Sequence, residues 1–150
     1  MKIGGVEVTA CEEVLVLPRI SGDIVIRAQA VTDMSAFEAL CPVPVAPGIR
    51  TRDGFKPNFK DENYMALAAH HAEQRLSFMV IKSIEPSQIE WETVKLEDPA
   101  TWSNWSKELK EHGLSDVECN RVIMCVMQAN SLDEEKLRLA REVFLRGQGM

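Results

Sequence analysis

The sequence has no run of about 18 apolar residues, so no membrane-spanning helix is expected. Its apolar runs, such as Val14-Leu15-Val16-Leu17 and Phe78-Met79-Val80-Ile81, have the size of strands or core segments. Met1-Lys2-Ile3-Gly4-Gly5 is followed by no long apolar stretch, so no secretory leader is expected. The four cysteines, Cys11, Cys41, Cys119 and Cys125, form no Cys-x-x-Cys pair, which predicts reduced, mostly buried thiols in a cytosolic protein. A Gly-rich phosphate loop is lacking too: Gly4-Gly5 has neither a strand ahead of it nor a helix behind it. Basic residues are the minority, 17 against 23 acidic ones, for a net charge of −6. That balance argues against nucleic acid and against an anionic membrane surface as partners. Only three histidines occur. His70 and His71 are adjacent, so on a helix they point about 100° apart and do not chelate one metal well. Cys41-Pro42 has no histidine placed to activate the thiol. With no convergent polar cluster to be built, the chain is expected not to be an enzyme and to hold no cofactor and no metal.

What is present is an organisation. The 150 residues are 45% apolar and 27% charged, which suits one domain or two small lobes able to bury a core without staples. Residues 1–60 are charge-balanced, with seven basic and seven acidic side chains, whereas residues 61–150 hold ten basic and sixteen acidic ones. All the net acidity therefore lies in the second part, and the patterning changes at the same place.

The reading is an α+β chain in three stretches: a β-rich N-terminal lobe at 1–41, a Pro-rich extended arm or loop at 42–60, and a helical domain at 61–150. Val6-Glu7-Val8-Thr9 alternates. Glu13 to Leu17 and Ile24 to Val31 flank the turn signal Ser21-Gly22-Asp23, which predicts an antiparallel hairpin or small meander. Asp33 to Leu40 predicts one or two helical turns capped by Asp33 and ended by Pro42. Residues 42–60 hold four of the seven prolines, which excludes a helix or a central strand there.

From Asp61 the spacing becomes helical. Met65, Ala69, Ala72, Leu76, Met79 and Val80 recur at three and four, and Pro86 bounds that helix. Ile89 to Val94 reads as a short strand or an extended connector. Asp98-Pro99 predicts a helix start and His112-Gly113 its stop. Ser115 to Glu118 and Ser131 to Glu134 have the form of capping boxes. The helix after the first carries Cys119, Val122, Ile123, Val126 and Met127 on one stripe. The helix after the second carries Leu137, Ala140, Val143 and Phe144. The expected product is an antiparallel helical unit of about four helices.

The tryptophans and internal methionines support two readings. They fill the core between helices, or part of the set lines an adaptable groove for a partner's apolar segment. Met124 falls off the Val122–Val126 stripe, and Trp102 and Trp105 sit near the start of their helix. These three are the candidates for exposure, and with Arg50 and Arg52 of the Pro-rich segment they are the candidate partner-binding residues.

A resemblance covers roughly residues 61–147. Asp61-Glu62-Asn63-Tyr64, Ile84-Glu85-Pro86, Ile89-Glu90-Trp91, Asp98-Pro99-Ala100-Thr101-Trp102, Gly113-Leu114-Ser115, Ala129-Asn130-Ser131-Leu132 and Ala140 to Leu145 together resemble the tail assembly chaperones of long-tailed bacteriophages. The pattern consists of caps, tryptophans and helix lengths, and residues 1–60 match it less well. The resemblance implies a non-enzymatic protein that binds the helical tape-measure protein, helps recruit tail tube subunits and is displaced during assembly. It also implies residence in the cytoplasm of the infected host cell and absence from the mature virion. Self-association is a further expectation. The alternatives are a structural virion protein such as a neck or tail adaptor, and a small metal-dependent enzyme.

Overall fold

The computed structural model describes residues 1–131 and 134–149. Among them the chain is mixed α+β, with three two-stranded antiparallel sheets and five α-helices. Its contacts gather into two compact units, each drawn from separated stretches. One takes Met1–Val31, Ser83–Ile89 and Asp116–Met150, and the other takes Thr32–Lys82 and Glu90–Ser115. The stretch 61–150 therefore supplies helices to both units.

The first unit begins with a small exposed hairpin, β1 (Lys2–Ile3) and β2 (Val6–Glu7). Its turn falls on Gly4 and Gly5 at φ +59° and +84°, a left-handed conformation that glycine adopts freely and residues with a Cβ rarely do. The expected larger hairpin follows as β3 (Glu12–Leu17) and β4 (Ile24–Gln29), with Leu15 opposite Ile26 and Leu17 opposite Ile24. Alternation sends Leu17, Ile26 and Ala28 into the core and leaves Val14, Val16 and Val25 exposed on the other face. Helix α4 (Asp116–Asn130) packs on this ribbon and buries Cys119, Val122, Cys125, Val126 and Ala129. A bidentate pair at 2.7 and 2.8 Å between the Arg19 guanidinium and the Glu118 carboxylate ties the hairpin loop to the first turn of α4.

The outer edge of β4 is closed by side chains rather than by another strand. Ser87 Oγ accepts from the Arg27 N–H at 2.7 Å and donates to its carbonyl at 3.1 Å. Ser83, fully buried, donates to the Gln29 carbonyl at 2.7 Å. Asn130 accepts from the Val31 N–H at 2.7 Å and donates to Ser83 Oγ and to the Val126 carbonyl. Helix α5 (Glu134–Gln148) completes the unit. The expected cap at Ser131 to Glu134 includes Leu132 and Asp133, which lie outside the described residues.

In the second unit, α1 (Ser35–Leu40) forms where Asp33 Oδ1 accepts from the Ser35 N–H at 2.9 Å. This bond holds the Asp33 carboxyl below its usual range. The Pro-rich segment contains a hairpin that its composition concealed, β5 (Gly48–Thr51) and β6 (Gly54–Pro57). Gly54 turns at φ +108°, and Pro57 sits at the end of an exposed two-stranded ladder, where a missing donor costs little. Helix α2 (Glu62–Ser83) is the longest, and its last residue belongs to the first unit. Its buried positions are Phe78, Val80, Ile81 and Ser83. The expected stripe is rotated: Met65, Ala69, Ala72 and Leu76 are exposed, while Tyr64, Ala68, His71 and Gln74 are half-buried and lead into the buried Phe78.

Asp98-Pro99 opens a 3-10 turn, Pro99–Thr101, with Asp98 Oδ1 accepting from the Ala100 N–H. Helix α3 (Asn104–Glu111) is accordingly short and stops at Gly113, φ +111°. Ile89 to Val94 is an irregular connector. No helix among the described residues is long and apolar enough to cross a membrane.

Candidate functional site

Trp102 and Trp105 are not exposed. Trp102 is 0% and Trp105 5% accessible. The 3-10 turn ahead of α3 rolls the Trp102 indole inward, where its Nε1–H donates to the Leu96 carbonyl at 3.1 Å. Its ring centroid lies 5.2 Å from Phe78 and 6.0 Å from Phe37, and those two phenylalanines are 5.6 Å apart. This aromatic triangle is the core of the second unit, so of the two readings of the tryptophans the core one holds for Trp102 and Trp105.

His70 and His71 are separated by the helix as their spacing requires. His71 stacks on Phe37 at 5.1 Å and places Nε2 3.1 Å from the Cys41 carbonyl, a structural position. His70 lines a pocket of about 420 Å³ with Glu73, Gln74 and Ser77 on one wall and Pro99, Ala100, Trp102 and Ser103 on the other. Sequence spacing pointed to α2 but not to this second wall. Among the described residues no three His, Cys, Asp or Glu side chains are grouped to hold a metal ion.

The one buried carboxylate of the second unit is Glu108, 5% exposed. It accepts from the backbone N–H of Glu92 and from the Thr93 N–H and Oγ1, the latter at 3.0 Å. Burial pushes its carboxyl up, but the Glu92 and Thr93 donors outweigh that and hold it below its ordinary value. It staples the connector before α3. All four cysteines are free, and burial raises Cys41 and Cys125, with the nearby Glu13 adding to the effect at Cys125. A raised thiol is a poor nucleophile.

The apolar surface lies elsewhere. On α4, Met124 is 53% exposed and shares the outward face with Val117 and Met127. Met127 thus leaves the stripe expected for it. Helix α5 buries no residue at all. At 100° per residue its Leu139, Val143, Ala140, Phe144 and Leu137 span an arc of roughly 160° that Lys136 interrupts; Val143 is 68% and Phe144 63% exposed. Its opposite face is internally paired, with the Arg138 guanidinium 2.6 Å from Glu142 and 3.2 Å from Glu135. Lys136 reaches Glu13 of β3 at 2.6 Å. Arg50 and Arg52 stand exposed in the β5–β6 hairpin of the second unit, apart from the buried tryptophans, while Met124 belongs to the first unit. The apolar face of α5 was legible as a periodic stripe but reads alike whether covered or bare.

No family model, no curated protein and no solved structure matches this chain.

Proposed function

We propose that this chain acts by binding another polypeptide and carries out no bond-making of its own, as a tail assembly chaperone of the long-tailed phage type. Its client is the tape-measure protein, and it helps recruit tail tube subunits. The observation that carries the reading is the bare apolar arc of α5. A helix of about fifteen residues is marginal in water and gains most of its stability from burying an apolar face, yet none of α5 is buried. Its polar face is ion-paired, so the face left to satisfy is the apolar one. A long amphipathic helix fits it by the helix-on-groove mode of recognition. Met124 and Met127 on α4 add flexible side chains suited to a client whose stripe varies along its length.

The resemblance over residues 61–147 supplies the identity of that client, and the exposed β5–β6 hairpin with Arg50 and Arg52 is the surface assigned to tube subunits. Co-expression tests the reading. The tape-measure protein should stay in solution and co-purify with this chain, and purified mature particles should lack the chain. A client that aggregates regardless refutes the chaperone. A stoichiometric presence in particles replaces it with a structural virion component such as a neck or tail adaptor.

A further inference from the structure

The two edges of the β3–β4 ribbon are treated differently, and the difference points beyond client binding. In the antiparallel register Arg27, Gln29 and Val31 turn their backbone groups away from β3, as their bonds to Ser87, Ser83 and Asn130 show. The partners across the ladder follow from alternation: the Ala30 N–H bonds the Cys11 carbonyl at 2.8 Å, so Glu13, Leu15 and Leu17 face β4 and Glu12, Val14 and Val16 turn their N–H and C=O groups outward. Among the described residues nothing hydrogen-bonds that outer edge. Of the usual deterrents to pairing the strand carries only the charges of Glu12 and Glu13: it contains no proline and no lysine, and its ladder with β4 runs without a bulge.

We infer that the β3 edge is a self-association site that takes the same edge of a second copy, antiparallel, about a two-fold axis at Val14. The inference is independent of the client. That register sets Val14 opposite Val14 and Glu12 opposite Val16, so each of the three outward donors meets an outward acceptor, and one four-stranded sheet results. It also meets the charge requirement. Glu13 falls opposite Leu15, no carboxylate faces another, and each acid keeps a cation of its own copy, Glu12 with Arg27 at 3.8 Å and Glu13 with Lys136 at 2.6 Å. The Val14–Val14 pair on the exposed face adds the β-branched cross-strand contact that sheets favour. A single six-residue edge is a small interface, so the pairing is concentration-dependent.

Proline at position 14 isolates the edge, because the Val14 N–H takes no part in the intrachain ladder. Sedimentation equilibrium of the full chain should show mass rising toward twice the chain mass from micromolar to millimolar concentration. Val14→Pro should weaken that association by about tenfold or more, since both central bonds of the symmetric pair are lost. Val25→Pro, on the other edge, should leave it unchanged. Amide exchange needs no variant: the Glu12, Val14 and Val16 N–H groups should gain protection as concentration rises. A chain that stays monomeric throughout, association indifferent to Val14→Pro, or edge amides that gain no protection would each overturn the inference.

Discussion

Truncating Trp102 to alanine separates the two readings of the tryptophans most sharply. The side chain is wholly buried, and its ring completes the triangle with Phe37 and Phe78. Replacing a buried aromatic by alanine costs about 3–5 kcal/mol. The Leu96 carbonyl loses its indole donor, and an orphaned acceptor costs about 1 kcal/mol or more. That loss is part of the truncation cost rather than additional to it, so about 4 kcal/mol is expected. With an m-value near 2 kcal/mol/M in urea, the unfolding midpoint should fall by about 2 M. All three tryptophans belong to the second unit, so the fluorescence of the remaining Trp91 and Trp105 reports its unfolding. Met124→Glu, on an exposed helix face, should shift stability by no more than about 0.5 kcal/mol. A Trp102→Ala midpoint within about 0.5 M of the parent would refute the core assignment and return Trp102 to the groove.

Other consequences follow from the same geometry. Glu108 has a depressed folded pKa, so its stabilisation is fully present above the unfolded value near 4.3 and is lost as pH falls through the folded value. Acid titration of stability should show this loss in the parent, and Glu108→Gln should abolish that component while lowering stability at neutral pH. Asn130→Ala leaves the Val31 N–H without its acceptor and removes one of the two bonds of Ser83 Oγ, and should cost about 1–3 kcal/mol, with faster amide exchange at Val31 as the local readout. Cys41 and Cys125 should react with alkylating reagents far more slowly than a free thiol at neutral pH, measured by mass shift on the folded chain.

Much of this architecture is local and was therefore legible. The β3–β4 hairpin is written in alternation around Ser21-Gly22-Asp23, and α4 and α5 in 3.6-residue periodicity; α1 lies between Asp33 and Pro42 as expected, although its N-cap is Met34 and Asp33 only turns the chain ahead of it. What escaped is non-local. The closing of the β4 edge joins Arg27, Gln29 and Val31 to side chains 54 to 99 residues away, and no local pattern encodes such a bond. The β5–β6 hairpin hid among prolines, although Asp53-Gly54 is a turn signal and Pro57 sits where an exposed ladder tolerates it. Trp102 was misplaced because its position near a helix start says nothing of the 3-10 turn that rolls it inward. For α5 the stripe was visible, but periodicity reports an apolar face and is silent on what covers it.

The central claim is that the apolar arc of α5 is a binding surface. Its most direct test is calorimetric titration of the chain with a soluble helical segment of the tape-measure protein, for the parent and for a Val143→Glu/Phe144→Glu variant. Both positions are exposed, so the variant should keep its circular dichroism and unfolding midpoint. The account predicts measurable binding by the parent and its loss in the folded variant. Equal affinity in both would contradict it.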